Sequence, residues 1–369
     1  MAGEESGDLH GASLVAELKR LDPKMRFVGI GGDRMAAEGV EIGCHVRDLA
    51  VVGIVEVFSI LPKLIRAYRW LMRRLRSHPP RVVVLIDYAE FNLFFAGRAR
   101  KLGVPVVFYI SPQIWAWRKG RVKRIARNVR EMVVILPFEK DFYESHGVKT
   151  SFVGHPLMDR LEGTPVLEER EAGPFTVGWM PGSRNSEVER LLPVMARAAA
   201  LLRERVSREV SYVVPVAPGI SIPRVEEAFL RAGVRIQICQ EDSLKAMSRC
   251  DLIVMASGTA TLEAALLAIP AVIVYKVSFV SYLLGRILIR VPWIGLANIV
   301  AGKAVYPELI QYEVTPERIV DACLDLIREP EKRRAVREEL KRIRAKLGAP
   351  GASRRTAEVI YRYVQTITQ

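Results

Sequence analysis

The chain has 369 residues, half of them hydrophobic, with 55 Lys and Arg against 41 Asp and Glu for a formal net charge of +14. It is long enough for two domains with cores of ordinary size and contains no internal repeat and no low-complexity segment. Four scattered cysteines (Cys44, Cys239, Cys250, Cys323) form no C-x-x-C pair, no positively charged start precedes an apolar signal region, and the uncharged apolar stretches 264–275 and 291–302 fall short of the ~20 residues of a spanning helix. These features argue against a disulfide scaffold and a transmembrane chain, so a cytosolic protein with reduced thiols is expected.

In chain order, Gly3-Glu4-Glu5-Ser6-Gly7-Asp8 is a glycine-rich turn that opens a helix with no strand ahead of it. Either the start lies further upstream or the strand is truly missing, in which case the N-terminal sheet lacks an interior strand, at a cost in stability, and the opening loop is loose. A strand at 27–30 leads into a second such turn, Gly29-Ile30-Gly31-Gly32-Asp33-Arg34-Met35. The segment 51–60, with Val52, Ile54, Val55, Val57 and Phe58, leaves too few polar positions for one side to face water. After Pro62 a helix places Leu61, Leu64, Ile65, Tyr68, Leu71, Met72 and Leu75 on one face, with Lys63, Arg66, Arg73, Arg74 and Arg76 off it. Strands follow at 82–86, 104–110 and 132–136. The stretch 154–174, rich in Pro and Gly, is the least periodic and reads as a linker. Beyond it, strands at 175–180, 212–216, 234–238, 251–255 and 271–275 alternate with helices. Continuous apolar strands separated by helices imply parallel sheets covered on both faces. The fold class is α/β: two doubly wound, Rossmann-like domains with the strands' carboxyl ends facing a cleft.

Two turns carry the chemistry. Pro181-Gly182-Ser183-Arg184 and Ser257-Gly258-Thr259-Ala260-Thr261-Leu262-Glu263 each follow an apolar strand and open a helix. Each should offer free backbone N–H groups and a positive dipole end, as phosphate requires. One such turn often does nothing but cap. Two in one domain, with Arg184 for a pyrophosphate and Glu263 for ribose hydroxyls, suit a nucleoside diphosphate sugar. No G-x-G-x-x-G follows a strand, and there is no G-x-x-x-x-G-K-[ST].

The positive charge concentrates at 63–81, 118–130 and 328–346 and fits either nucleic acid or an anionic membrane surface. The basic amphipathic helix after Pro62 and the apolar residues ahead of it favour the membrane, through Val55, Val57, Phe58, Leu61, Leu64 and Ile65. A second region, 279–294, mixes apolar residues with Arg286 and Arg290. The competing reading of the amphipathic stripe is ordinary core.

Among charged groups, Asp87 stands at the carboxyl end of a strand, where active-site groups of α/β sheets collect, although an Asp there also caps helices. Glu4, Glu5 and Ser6 either reach a cleft or form a solvated acidic cap. His155, in Gly154-His155-Pro156, is a candidate ligand contact or hinge, and Trp115 and Trp117 are either sugar-facing or core. No Asp-x-Asp cluster is present to hold Mg²⁺ at a diphosphate, so no metal and no cofactor are expected.

Ten motifs in order resemble the lipid-A-disaccharide synthase family of GT-B glycosyltransferases: GEESGDLHGA from Gly3, GIGGDRM from Gly29, VVGIVEVF from Val51, IDYAEFN from Ile86, SPQIWAWR from Ser111, LPFEKDFY from Leu136, FVGHPLMD from Phe152, PGSRNSEVE from Pro181, SGTATLEA from Ser257 and NIVAGKAVYPELIQ from Asn298. The resemblance implies an inverting transfer of 2,3-diacylglucosamine from UDP-2,3-diacylglucosamine to the 6-hydroxyl of 2,3-diacylglucosamine 1-phosphate, in the cytoplasm at the inner membrane of a Gram-negative cell. It implies Asp87 as the catalytic candidate and Asn298 and Gln311 as further UDP-site residues, while Glu4, Glu5, Ser6 and His155 are assigned toward the acceptor from their places in the opening loop and at the domain junction. Glu90 fits less well, since this chain has Tyr-Ala-Glu-Phe where the family often has Ala-Pro-Asp-Phe. It also implies an acceptor and membrane domain over 1–165, joined by the last helix within 350–369, and a UDP-sugar domain over 166–349. The alternatives are an epimerase of UDP-N-acetylglucosamine on the same architecture, or a basic nucleic-acid-binding protein, which would leave both turns unexplained.

Overall fold

The computed structural model describes residues 1–48, 57–116, 119–163, 166, 168, 173–288 and 291–366. The chain forms two compact units, Met1–Glu162 with Leu347–Gln369, and Gly163–Lys346.

In the first unit, β1 (Phe27–Gly31) pairs with β2 (Val40–His45), and β3 (Val83–Ile86), β4 (Val106–Tyr109), β5 (Glu131–Val134) and β6 (Thr150–Phe152) pair in sequence, every pair parallel. The first residues link these two ladders. The Ala2 N–H donates to the Ile30 carbonyl at 3.0 Å, the Ile86 N–H donates to the Met1 carbonyl at 2.9 Å, and the Met1 amino group donates to the Val84 carbonyl at 2.7 Å. The layer thus runs β2, β1, Met1–Ala2, β3, β4, β5, β6, and the expected gap in the sheet is partly bridged. Nor is the following loop untethered. Asp8, buried in the first turns of the helix Glu5–Leu21, accepts from the N–H groups of Gly32 (2.6 Å), Arg34 (3.1 Å) and Met35 (3.1 Å), which ties both glycine-rich turns together.

The last helix, Ala352–Thr366, belongs to this unit and packs on Glu5–Leu21. Two carboxylates fix it. Asp159 accepts from the N–H groups of Gly351 (2.7 Å), Ala352 (2.9 Å) and Ser353 (3.1 Å) at its start, and buried Glu131 accepts from Tyr363 (2.5 Å) near its end.

The second unit is one parallel sheet of β7 (Phe175–Met180), β8 (Val210–Pro215), β9 (Gln237–Cys239), β10 (Leu252–Ala256), β11 (Ala271–Tyr275) and β12 (Glu308–Ile310), in the spatial order β12-β11-β10-β7-β8-β9. That is the doubly wound dinucleotide-fold order, which reverses between β7 and β10. Every residue of β10 is buried, because helices such as Asn185–Arg205 and Pro316–Arg328 cover the sheet, and Trp179, Tyr212 and Phe229 fill the space beneath. Part of the basic run 328–346 is spent inside this unit: buried Arg333 donates to the carbonyls of Leu326 (2.7 Å) and Ile327 (3.2 Å), Arg337 to that of Ala268 (2.9 Å) and Arg344 to that of Leu266 (3.0 Å).

Replacing Asp159 by Ala leaves three amides at the start of the last helix without their acceptor. The expected result is a loss of about 2 kcal/mol in the stability of that docking, read as faster tryptic cleavage at Arg354 and Arg355.

Candidate active site

Each unit presents its candidate groups at the point where its strand order reverses. In the second unit the register Met255↔Met180 between β10 and β7 makes the two strands end side by side, so that Pro181-Gly182-Ser183-Arg184 and Ser257-Gly258-Thr259 leave adjacent strands at the same edge. Arg184 is the N-cap of the helix Asn185–Arg205, and Thr259 is that of Ala260–Leu266. Gly182 has φ of +119°, and a Cβ there would sit 2.6 Å from Glu187 Oε2, so the turn requires glycine.

Glu187 stands where an anion would bind. Its carboxylate accepts from the N–H groups of Ser183 (3.3 Å) and Arg184 (3.4 Å) and meets Arg184 Nη1 at 3.2 Å. These contacts are long, and the Arg184 side chain is 70% exposed, so guanidinium and amides are available to a stronger anion. Tyr275, at the end of β11, feels both charges, although burial is the main reason its phenol is raised above its usual range.

Beside the second turn, a Cβ on Gly258 would meet nothing within 4 Å, while Ser257 Oγ donates to the Ile294 carbonyl at 3.1 Å. Glu263 is buried and accepts from Ser243 Oγ at 3.1 Å. Asn298 is buried with all four hydrogen-bonding positions used. Its amide donates to the Tyr306 carbonyl and to Glu308, both at 2.8 Å, and its oxygen accepts from the N–H groups of Val305 (2.9 Å) and Tyr306 (2.8 Å). Gln311, at φ of +56°, makes a two-bond pair with the backbone of Val277, at 3.1 Å and 2.9 Å. Both side chains therefore set the backbone after β11 and before β12.

In the first unit the opening loop and the turn after β3 lie next to each other, because Ala2 bridges to Ile86. Asp87 and Tyr88 both have positive φ, 49° and 47°, a conformation that costs non-glycine residues on the order of 1 kcal/mol each. The turn is held by Asn92, whose amide donates to the carbonyls of Ile86 (3.2 Å) and Asp87 (2.7 Å). Gly3 packs so closely under Tyr88 that a Cβ there would fall 2.0 Å from its ring. Burial pushes the Asp87 carboxyl up to about 6, the Glu4 carboxylate adds to the rise, and the Tyr88 N–H opposes it. Glu4, Glu5 and Ser6 are exposed.

His155 is buried. Its Nδ1 accepts from the Leu157 N–H at 3.1 Å, and its backbone N–H donates to the Leu347 carbonyl at 2.9 Å. Burial lowers it to about 3, helped by His10, which burial likewise lowers to about 4. Trp115 is buried with its indole N–H on Glu139 Oε1 at 3.0 Å, and Trp117 lies outside the described residues. Glu139 itself is a buried carboxyl that sequence reasoning missed, raised to about 7 by desolvation. Its only signal was a glutamate three positions into a helix opened by Pro137. Val55 lies outside the described residues, as do the side chains of Val57, Phe58, Leu61 and Glu90. Of the remaining stripe, Leu71, Met72 and Leu75 are core, Leu64 is half-buried and Ile65 is 42% exposed.

A family model described as lipid-A-disaccharide synthetase matches residues 1–361. The chain belongs to the lipid-A-disaccharide synthase family. It is 46% identical over 366 residues to the lipid-A-disaccharide synthase of Syntrophus aciditrophicus, covering 97% of this chain and 95% of that one, and 44% identical to that of Geobacter metallireducens, covering 98% and 95%. Among solved structures it resembles the UDP-GlcNAc 2-epimerase from Neisseria meningitidis bound to UDP-GlcNAc (TM-score 0.64, 13% identity, 98% of each chain) and the MurG of Acinetobacter baumannii (TM-score 0.59, 16% identity, 98% and 97%). At such identity these two show the fold alone, GT-B with two Rossmann-like units. The family makes the protein a glycosyltransferase of lipid A synthesis.

The Asp87 environment predicts a pH signature. Its neutral form is favoured by folding, so that contribution to stability is complete below the ordinary value of 3.8 and is lost as pH rises through about 6. Asp87→Asn is expected to melt above the unsubstituted protein near neutral pH, and the two melting points should converge below about pH 4. Gly182→Ala is expected to destabilise the protein by ~1–3 kcal/mol in urea titration.

Proposed function

We propose that the protein transfers 2,3-diacylglucosamine from UDP-2,3-diacylglucosamine to the 6-hydroxyl of 2,3-diacylglucosamine 1-phosphate, with inversion, giving the β-1,6-linked disaccharide 1-phosphate and UDP. The observation that carries this reading is the pair of amide-rich turns meeting at the strand-order reversal of the second unit, in a chain of this family. In one displacement Asp87 accepts the proton of the attacking hydroxyl, the new C–O bond forms opposite the leaving group, and the electron pair of the broken bond departs with UDP. A carboxyl raised to about 6 suits this role, since it is ionised at neutral pH yet basic enough to take a proton.

The leaving diphosphate replaces Glu187 on the amides of Ser183 and Arg184, with Gly182 allowing close approach and the Arg184 guanidinium balancing the growing charge. Ser257, Gly258 and Thr259 complete the phosphate edge, Glu263 binds the ribose, and Asn298 and Gln311 hold the surrounding backbone. Glu4, Glu5 and Ser6 bind the acceptor, His155 shapes the floor beneath them, and no divalent ion takes part. The segments 1–165 and 350–369 thereby serve acceptor and membrane, and 166–349 the UDP-sugar. Among the described residues no helix is long and apolar enough to cross a membrane. The acyl-bearing substrates are met by peripheral association with the inner face of the inner membrane, through Val55, Val57, Phe58, Leu61, Leu64 and Ile65.

Arg184→Ala is expected to lower kcat by about a hundredfold and to raise the donor KM. Asp87→Asn should lose on the order of 10³ in kcat while binding UDP normally, and the unsubstituted enzyme should show an acid limb in kcat/KM near pH 6. Both are measured with radiolabelled acylated acceptor and UDP-linked donor. Normal turnover by Asp87→Asn removes that residue from the mechanism. Activity abolished by EDTA and restored by Mg²⁺ overturns the metal-free transfer.

A further inference from the structure

The helix Val57–Ser77 carries a groove of about 630 Å³ lined by Tyr68, Arg69, Met72, Arg73, Arg76 and Ser77. Positions 65, 68, 69, 72, 73 and 76 fall on one helical face, so three guanidiniums stand in a row one turn apart along an apolar strip. None of the three makes a hydrogen bond or an ion pair with the described residues, whereas Arg74, one position round the helix, is held by Glu41. No carboxylate lines the groove.

Its floor is aromatic. The Tyr68 ring lies 5.4 Å from that of Phe94 on the neighbouring helix Ala89–Lys101, Phe94 is 45% exposed, and Arg98 covers its face at 5.5 Å. Exposed Ile65 extends the apolar strip by one turn.

The groove is separate from the candidate catalytic carboxyl. Lys63 pairs with Asp48 beyond the carboxyl end of β2, and Arg74 pairs with Glu41 near its start, so the helix runs antiparallel to the sheet. Arg73 and Arg76 therefore lie toward the amino edge of the strands, while Asp87 follows the carboxyl end of β3.

We propose that this groove binds the phosphate head group of an anionic membrane lipid, with Arg69, Arg73 and Arg76 on the phosphate oxygens and the glycerol and first acyl carbons over Tyr68 and Met72. Guanidiniums supply forked donors matched to phosphate, and the unpaired row meets a charge it can neutralise. The apolar floor selects a phosphate carried by an acyl chain over the free ion. The proposal rests on the membrane-associated reading and deepens it by naming the lipid contact.

The test is co-sedimentation with vesicles of phosphatidylcholine containing phosphatidic acid, and with phosphatidylcholine alone. It needs no catalysis, so it stands apart from the transfer reaction. The triple variant R69Q/R73Q/R76Q is expected to bind anionic vesicles on the order of a hundredfold more weakly. A charge-matched control, K123Q/R124Q/R127Q, is expected to weaken binding by less than about fivefold. If the unsubstituted protein fails to sediment with anionic vesicles, the membrane reading falls and the groove with it. If it sediments and the groove variant does so equally, or the control loses as much, the groove assignment alone falls. Displacement by inorganic phosphate at matched ionic strength assigns a free-anion site instead. Oligonucleotide binding that is lost only in the groove variant assigns nucleic acid, and either result overturns the lipid.

Discussion

Everything in the second unit depends on the parallel pairing of β7 with β10. Strands distant in sequence become neighbours, and because they end in register, two helix-opening turns arrive at one edge. Amide groups are then concentrated by backbone geometry alone, and only Gly182, at its positive φ, needs a particular residue type to complete the arrangement. Glu187 fills the resulting positive site from within the same helix, so the unliganded turn does not hold its donors unsatisfied.

The first unit uses the same topology to opposite electrostatic effect. Where the second concentrates donors, the first buries the Asp87 carboxyl within reach of the exposed Glu4 charge and destabilises its ionised form. Its geometry is also strained, with two successive left-handed residues clamped by one asparagine and roofing a glycine. Strain and a disfavoured charge at one turn are the features expected where folding stability has yielded to chemistry.

Much of this was legible in the chain. The continuous apolar strands at 175–180, 251–255 and 271–275 stood out because burial on both faces leaves no polar position. The turns at Gly182 and Ser257 were legible because Gly and Ser punctuate strand and helix. Three strands were missed: β2, β6 and β12 are short or mixed in polarity, and Thr150-Ser151-Phe152 or Glu308-Leu309-Ile310 carry no periodic signal. The roles of Asp8, Glu139 and Arg333 were invisible for another reason. Each is a charged residue satisfied by partners that only tertiary structure brings near, and composition counts such groups as surface. The net charge likewise counts Arg333 and Arg337 as outward positive surface, although both are buried.

The return of the final helix to the first unit orders events during synthesis. Gly163–Lys346 precedes Ala352–Thr366 in the chain, so the whole second unit is synthesised while the first still lacks the helix that packs on Glu5–Leu21. Until that helix docks, the first unit presents the apolar face that Ile360 and Val359 cover, a surface open to chaperones or to other unfinished chains.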